Sequence, residues 1–333
     1  MNKQINPFAK KQIDAIEAFC ATKQPLVAIK CVTYNHEKYL QDALEGFVQQ
    51  KTTFPFVAIV HDDASTDRTA SILKEYAEKY PDIILPIYET ENQHSKFDGS
   101  LLRITTGALN ATRAKYIAIC EGDDYWTDPL KLQKQVDFLE SHPDYSLVFA
   151  NVFLHYDSGK TTEKLPIEDR DYTPIEVYGR IRIPTPTILF RADVYSSAAY
   201  SYFQKIRKPI FGDLTLFMAC SLMGKIHGVD DVVCGYRRLS TGATNYLFAH
   251  PYELFRNRLA LSLYLGKEFK QVDCERFVTY LIPAIKGVFT NFPTNIKFTT
   301  LLFYHFPIRC LKQLSYIPKG ILRRLHNCLH IYV

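Results

Sequence analysis

The sequence predicts an α/β protein built on a mostly parallel, doubly wound sheet. Short apolar runs alternate with segments of helical periodicity over the first 140 residues, the pattern of repeated strand–helix units. Acidic residues follow the second and the fourth predicted strands. Because right-handed crossovers bring the carboxyl ends of parallel strands to one edge, we expect these acids at a common rim, where open α/β sheets bind ligands.

The elements of this half follow from the spacing of apolar residues and from helix caps. Strands are predicted at residues 26–32, 56–60, 83–88 and 116–120. Helices are predicted at residues 10–21, 37–50, 100–111 and 130–139, with a further helix capped by residues 64–67 and running to about residue 80. Thr127, Asp128 and Pro129 combine a capping side chain with a proline in the first turn, which indicates the start of the 130–139 helix.

The second half continues with a strand at 146–153, a polar loop at 157–172, extended chain at 183–190 and a helix starting at 191–195. A helix at 214–223, a strand at 232–238 and a loop at 239–245 follow. The polar loop is expected to be variable and to face a ligand. We predict three regions: an N-terminal helical extension (1–24), an α/β domain that carries the acids (25–248) and a basic helical region (249–333).

Composition restricts the class of protein. Hydrophobic residues make up 47% and charged residues 23% of the chain, as in globular domains. The eight cysteines show no CxxC pair and no Cys/His ligand spacing, which favours a reducing cytoplasm. The N-terminus lacks the apolar core of a signal peptide, and no apolar run approaches the ~18 residues that span a bilayer. A cytoplasmic protein without a transmembrane segment is expected.

The chemistry is concentrated in the acid loop, which we define as Glu121, Gly122, Asp123 and Asp124, directly after the strand at 116–120. Clustered carboxylates repel one another and are costly to desolvate without a cation. Mg²⁺ or Mn²⁺, itself holding phosphate oxygens, is the natural partner. The alternative is a solvated acidic turn that caps the next helix.

A second pair of acids, Asp62 and Asp63, ends the second strand and could converge on the acid loop. The chain has no GxGxxG after its first strand and no GxxxxGK[ST], one of which a dinucleotide dehydrogenase or a P-loop ATPase would need. A nucleotide would therefore be held by carboxylates, a metal and the backbone. His36, His61, His94 and His227 have no metal-ligand spacing and are expected to be solvated loop residues. Trp126 is expected to pack beside the acid loop.

Three motifs in order, VTYNHEKYL (32–40), VHDDASTD (60–67) and YIAICEGDDYWTDPLKLQKQ (116–135), resemble the family 2 glycosyltransferases. These are GT-A-fold enzymes that transfer a sugar from a nucleotide-diphosphate donor with inversion at the anomeric carbon. The resemblance covers about residues 25–245. It implies a nucleotide-sugar site formed by Thr33, Tyr34, Asn35, Asp63, Glu121, Asp123, Asp124 and Arg237.

Within that site the resemblance implies separate roles. Thr33, Tyr34 and Asn35 would line the base pocket, and Asp63 would bind the edge of the base. Glu121 and Asp123 occupy the two acidic positions of a DxD motif, with Asp123 as the ligand of Mn²⁺ or Mg²⁺. The first position is Glu here, a methylene longer than the Asp of the family.

Asp213, at the start of the 214–223 helix, is a good N-cap. The resemblance implies that it is the catalytic base, since inversion needs a carboxylate that takes the proton of the acceptor hydroxyl. A helix N-terminus would keep this carboxylate ionised.

The segment at 236–244 resembles the family's YRxH…G…S stretch over the donor diphosphate, through Tyr236, Arg237, Gly242 and Thr244. Leu239 replaces the histidine. Arg237 or Arg238 could therefore offset the charge of the leaving group instead.

The C-terminal tail is basic. Residues 276–333 contain eight Lys or Arg and no Asp or Glu, whereas residues 1–275 carry a net charge of −3. Residues 318–333 have an apolar stripe with lysine and arginine largely off it, which favours peripheral contact with an anionic membrane. The alternative is a helix that packs this stripe on the catalytic domain.

The leading hypothesis is an inverting, metal-dependent glycosyltransferase that uses a nucleotide-diphosphate sugar, with UDP-sugars favoured. By resemblance, its setting would be bacterial surface polysaccharide or lipopolysaccharide assembly on a glycan or lipid-linked acceptor. The alternatives are a sugar nucleotidyltransferase, which would want a glycine-rich loop after the first strand, and a non-catalytic nucleotide-sugar-binding protein of the same fold. Nucleic acid is not expected as a partner.

Overall fold

The computed structural model describes residues 5–96, 98–156, 161–179, 183–203 and 212–239. The predictions for 239–245 beyond residue 239, and for the basic region 249–333, lie outside the described residues. None of the described helices is long and apolar enough to cross a membrane.

One sheet of ten strands runs through the described part of the chain, in the order β3-β2-β1-β4-β9-β6-β10-β5, with β7 beside β6 and β8 beside β10. The strands are β1 (Val27–Thr33), β2 (Phe56–Asp62), β3 (Ile84–Tyr88), β4 (Tyr116–Ile119), β5 (Tyr125–Trp126), β6 (Tyr145–Tyr156), β7 (Thr161–Lys164), β8 (Arg170–Tyr172), β9 (Leu189–Arg191) and β10 (Lys225–Arg238).

Helices cover both faces of this sheet. They are α1 (Pro7–Lys23), α2 (Leu40–Val48), α3 (Thr69–Lys79), α4 (Ser100–Thr112), α5 (Lys131–Ser141), α6 (Pro174–Gly179), α7 (Ala198–Phe203) and α8 (Gly212–Met223). Alternate residues of the central strands enter two hydrophobic cores. One core includes apolar side chains of α1, α4 and α8, and the other those of α2, α3 and α5.

The first four predicted strands and the helices between them are confirmed. β1 pairs in parallel with β2 and with β4, and β2 pairs in parallel with β3. The parallel register places Thr33, the last residue of β1, opposite Asp62, the last residue of β2. The ends of these strands therefore meet at one edge, which is the edge that carries the candidate site.

α1 is longer than predicted because its cap lies further upstream. The side chain of Asn6 accepts a hydrogen bond from the Ala9 backbone N–H, and Pro7 occupies the first turn. The helix buries Ala9, Ile13, Ile16 and Cys20 in the same core as α4.

The prediction of a continuous polar loop at 157–172 is wrong in part, since β7 and β8 lie within it. Both are short outer strands whose polar residues carry no apolar signal. β7 is fixed by Lys164, which bonds Asp230 with 2.8 Å between Nζ and Oδ1. β8 is fixed by Tyr172, which is buried against Phe149.

The segment at 183–191 is also less extended than predicted. A 3-10 turn at Thr185–Thr187 precedes β9, which lies antiparallel between β4 and β6. β10 starts earlier than predicted, at Lys225, because a bulge between Gly228 and Val232 interrupts its apolar pattern.

Candidate active site

Two loops that follow β1 and β2 are tied together by side chains. The Asn35 side-chain oxygen accepts a hydrogen bond from the Thr66 N–H at 2.8 Å, and the Asn35 N–H donates to the Ser65 hydroxyl at 2.9 Å. Asn35 has φ +53°, in the left-handed region that asparagine tolerates well. Tyr34 beside it is 43% exposed, so its ring is available to a ligand at this edge.

Asp63 lies buried under these loops. Its Oδ1 accepts from the Gln93 N–H at 2.7 Å and its Oδ2 from the His94 N–H at 3.0 Å, while its own N–H donates to the Thr33 carbonyl. A carboxylate has about four acceptor positions, so Asp63 joins three segments of chain and keeps acceptor capacity for a further donor.

Gly122 brings the acid loop against β1. Its N–H donates to the Val32 carbonyl at 3.0 Å, and a Cβ at this position would lie 2.7 Å from Thr33 Oγ1 and 3.0 Å from His36 Nδ1. Only glycine allows this approach. Thr33 Oγ1 and His36 Nδ1 are both buried, and neither has a hydrogen-bond partner among the described residues. Since buried polar atoms are normally paired, these two are suited to receive a polar ligand.

Glu121 is the electrostatic centre of the acid loop. Burial raises its pKa to about 7, Lys30 opposes this increase, and the charges of Asp123 and Asp213 add to it. The contribution of Asp213 is the smallest of these, and it comes from a residue 92 positions further along the chain.

Asp124 is buried to 2% exposure, and this burial raises the pKa of its carboxyl group. Its Oδ1 accepts from the Arg237 N–H at 2.7 Å. The Arg237 guanidinium donates from Nη1 to the Asp123 carbonyl at 3.0 Å, pairs with Asp42 and lies 4.5 Å from the centre of the Tyr125 ring. Arg237 therefore fastens the acid loop to α2 and β10.

Asp213 lies in the first turn of α8 and is exposed. Its Oδ1 accepts from the Leu214 N–H at 2.7 Å. The N–H groups at a helix N-terminus stabilise a negative charge, so the carboxylate is suited to act as a base at neutral pH.

The oxygen donors of the acid loop fit a hard divalent cation whose coordination shell is completed by a bound ligand. Among the described residues, no group of three or more His, Cys, Asp or Glu side chains could hold a metal alone. Mg²⁺ and Mn²⁺ usually bind through one or two carboxylates plus substrate phosphates. Glu121 and Asp123 supply two carboxylates. Burial and, to a smaller extent, the charge of Asp123 raise the pKa of Glu121, and a cation would stabilise its charged form.

Residues 29–207 match the family model described as glycosyl transferase family 2. The chain belongs to this family. An uncharacterized protein of Mycobacterium tuberculosis is 36% identical over 65% of this chain and 60% of its own length. The amylovoran biosynthesis glycosyltransferase AmsE of Erwinia amylovora is 26% identical over 51% of this chain and 61% of its own length. The chain thus spans about 60% of the length of these relatives.

The fold agrees with the family. The structure of S. aureus TarS 1–349 in complex with UDP superposes with a TM-score of 0.55 at 16% identity, over 81% of this chain and 73% of TarS. The complex of the same protein with UDP-GlcNAc superposes with a TM-score of 0.55 at 17% identity, over 77% of this chain and 70% of TarS. The GT-A architecture predicted from the sequence is confirmed at the level of the fold.

The sequence analysis missed Lys30, a residue whose charge acts on the acid loop. Lys30 lies in the middle of β1 and pairs with Ile119, two residues before Glu121. Burial lowers the pKa of Lys30, and the charge of Glu121 opposes this effect. A single lysine inside the apolar run LVAIKCV was the available signal.

The prediction of solvated histidines is wrong for His61 and for His36. His61 lies on β2, fully buried, with 3.5 Å between its Nε2 and Glu89 Oε1. His36 is half-buried, and its pKa is lowered by burial and raised by Asp123. His61 is buried because β2 continues through it, and His36 is partly covered because Gly122 of the acid loop packs against it.

The segment over the donor diphosphate is described only as far as Leu239, and Gly242 and Thr244 lie beyond the described residues. Arg237 contacts the protein at both Nη atoms. Arg238 has a buried Nε without a hydrogen-bond partner in the described part of the chain. Its guanidinium is therefore available to offset the charge of the leaving group.

Proposed function

We propose that this chain is an inverting, metal-dependent glycosyltransferase that moves a sugar from a nucleotide-diphosphate donor, a UDP-sugar, to a glycan or lipid-linked acceptor in bacterial surface polysaccharide or lipopolysaccharide synthesis. The observation that carries the proposal is the packing of the acid loop against Thr33, at the sheet edge where Asp63 also bonds Thr33. The charge of Asp213 also acts on Glu121 of this loop. The name of the AmsE relative and the nucleotide in the TarS complexes support polysaccharide chemistry and a UDP donor.

The base of the donor would bind where the loops after β1 and β2 meet. Tyr34 offers an exposed aromatic ring, and Asp63 offers acceptor capacity for an N–H of the base. Thr33 Oγ1 and His36 Nδ1, both buried without a described partner, would bond polar atoms that enter beside Gly122. Asn35 holds the two loops in register.

Asp123 together with Glu121 would hold Mn²⁺ or Mg²⁺, and the cation would neutralise charge on the diphosphate leaving group. Arg237 and Asp124 keep the acid loop in place for this task. Lys30 keeps Glu121 more ionised than burial alone would allow.

Asp213 would act as the general base. Its carboxylate takes the proton of the acceptor hydroxyl while that oxygen forms a bond to the anomeric carbon. The bond from that carbon to the diphosphate oxygen breaks on the opposite side, and the diphosphate leaves with the bonding electron pair. One carboxylate on the acceptor side is sufficient for this single displacement, which inverts the anomeric configuration.

A direct test incubates the full chain with UDP-, GDP- and dTDP-sugars, with Mn²⁺ or Mg²⁺ and a mixed glycan acceptor, and measures the nucleoside diphosphate released. Asp213→Asn keeps the size of the side chain but cannot accept a proton. Turnover should fall by at least ~10²-fold, the scale of a lost general base, while donor-induced thermal stabilisation should persist. Donor binding without turnover in the wild type would instead favour the non-catalytic alternative. An Asp213→Asn variant of wild-type rate would place the base elsewhere.

A further inference from the structure

Lys131 is a fully buried lysine that no part of the proposed reaction uses. It is the first residue of α5, and its side chain has 0% exposure. Its Nζ donates to Gln135 Oε1 at 2.7 Å and lies 4.3 Å from the centre of the Trp126 ring. No carboxylate of the described residues forms an ion pair with it. A buried ammonium without a counter-ion is costly, which suggests that its position serves a purpose other than stability.

The two contacts of Lys131 lead to the same neighbouring segment. The Trp126 Nε1–H donates to the Pro186 carbonyl at 2.6 Å, and Gln135 Nε2 donates to the Thr187 carbonyl at 2.7 Å. Trp126 ends β5, two residues after the acid loop. Lys131 therefore contacts the two side chains that bond the turn Thr185–Thr187, and one of them, Trp126, closely follows the acid loop.

The turn Thr185–Thr187 lies near the start of the acid loop. It precedes β9, whose Leu189 pairs antiparallel with Ala118 of β4. The chain that precedes β9 therefore lies at the carboxyl end of β4, where the acid loop begins. Trp126 also packs edge-to-face against Phe47 of α2, with 5.1 Å between ring centres, so a shift of the indole would disturb this contact as well.

We propose that Lys131 is a positioning residue for the sugar transfer: through Trp126 and Gln135, its side chain fixes the acid loop and the turn Thr185–Thr187 relative to one another. The inference rests on the proposed function. It adds a buried lysine, which does not contact the substrate, to the residues that form the candidate active site. Since a misplacement of about 1 Å can cost 10²-fold in rate, such a link has a measurable effect.

The charge of Lys131 makes the link sensitive to pH. Burial lowers the pKa of this lysine to about 7. The ionisable groups that face it are the Cys120 thiol directly after β4, the Cys234 thiol of β10 and Asp128 of the turn before α5. The ammonium is present below pH ~7 and binds the face of the indole more strongly than the neutral amine does.

Hydrogen exchange of the full chain tests the link without any substrate. Lys131→Met keeps the length of the side chain, and Gln135→Met removes the bond to the turn. In both variants, amides of the peptides 121–127 and 183–191 should exchange several-fold faster, while those of β2 should not change. Lys134→Met is the matched control, an exposed lysine of the same helix paired with Asp128 and Asp231. The proposal would be overturned if neither peptide exchanged faster, if only one of them did, or if the amides of β2 exchanged faster to the same extent.

Fluorescence supplies a second readout, because Trp126 is the one tryptophan of the sequence. Its emission should titrate with a midpoint near pH 7 in the wild type and in Lys134→Met, and the transition should disappear in Lys131→Met. Retention of the transition in Lys131→Met would overturn the assigned contact. If the wild type transfers no sugar from any donor, the proposed function fails, whereas these two measurements still decide whether Lys131 couples the two segments.

Discussion

At the scale of single residues, the ionisation of Glu121 in the acid loop depends on Lys30 of β1. Lys30→Met removes the positive charge that lowers the pKa of Glu121, so more Glu121 is protonated at neutral pH. We expect turnover near pH 7 to fall several-fold and to recover at higher pH, because the acidic limb of the pH–rate profile moves upward. Lys30→Arg should preserve most of the wild-type profile. Lys74→Met, at an exposed lysine, is the control. If the wild type and Lys30→Met gave the same pH–rate profile, Lys30 would have no electrostatic role.

Glu121 should reduce the stability of the protein above its own pKa. Its pKa is raised from 4.5 to about 7, so the folded state binds more protons than the unfolded state between these values, and stability falls as the pH rises through this window. Glu121→Gln should therefore be more stable than the wild type at pH 8, by up to about 3 kcal/mol, and equal to it near pH 4. Thermal melts at both pH values measure this difference.

The same melts test the cation. Mn²⁺ should raise the Tm of the wild type at pH 8 more than that of Glu121→Gln, because the variant lacks one of the two carboxylates. A stability difference that is the same at pH 4 and pH 8 would contradict the assigned pKa. An equal effect of Mn²⁺ on both proteins would remove Glu121 from the cation site.

At the scale of elements, the close approach of the acid loop to β1 depends on Gly122. Gly122→Ala places a Cβ 2.7 Å from Thr33 Oγ1, so the loop or the strand must move. We expect a loss of about 1–3 kcal/mol in the free energy of unfolding, the usual cost of overpacking, and weaker binding of the nucleotide sugar. Denaturant unfolding and a donor titration measure the two effects.

Gly212→Ala is the matched control. Gly212 lies in the first turn of α8, and none of the described atoms lies within 4 Å of the point that a Cβ would occupy there. Alanine should leave stability unchanged or increase it by up to about 1 kcal/mol, because alanine favours helix. Equal losses for the two substitutions would mean that the approach of Gly122 to Thr33 is not tight.

At the scale of the whole molecule, charge is distributed unevenly, with all acids before residue 276 and eight basic residues from there onward. We propose a catalytic domain at 25–248 followed by a basic region that contacts the inner face of the cell membrane. Removing residues 295–333 should release the protein from anionic vesicles, since each basic residue contributes about 1 kcal/mol near an anionic leaflet. Donor binding should persist.

Co-sedimentation with vesicles at low and high salt, paired with a melting curve, checks this prediction. High salt should weaken the binding because screening shortens the range of charge interactions. If the intact chain does not sediment with anionic vesicles and the truncation lowers the Tm, the tail packs on the catalytic domain instead.

The sequence by itself determined the order of strands and helices and the position of the acids. Apolar periodicity and capping residues are local signals, and they sufficed for β1 to β4, for α8 and for the acidic residues at the ends of β2 and β4. The edge at which these acids meet also followed, because right-handed crossovers allow little choice. His61 shows the limit of local reasoning, since a polar residue next to a predicted loop is buried in β2.

Only the tertiary structure decided which side chains act together. Arg237 contacts Asp42, Trp126 bonds the Pro186 carbonyl, and the charge of Glu121 acts on Lys30. These residues are distant in sequence, and no periodicity encodes such interactions. The same holds for β7 and β8, whose polar residues form strands because β6 and β10 offer free edges. The physical reason is that burial and charge pairing depend on which segments the sheet brings together, and a sequence pattern records only how each segment folds along its own length.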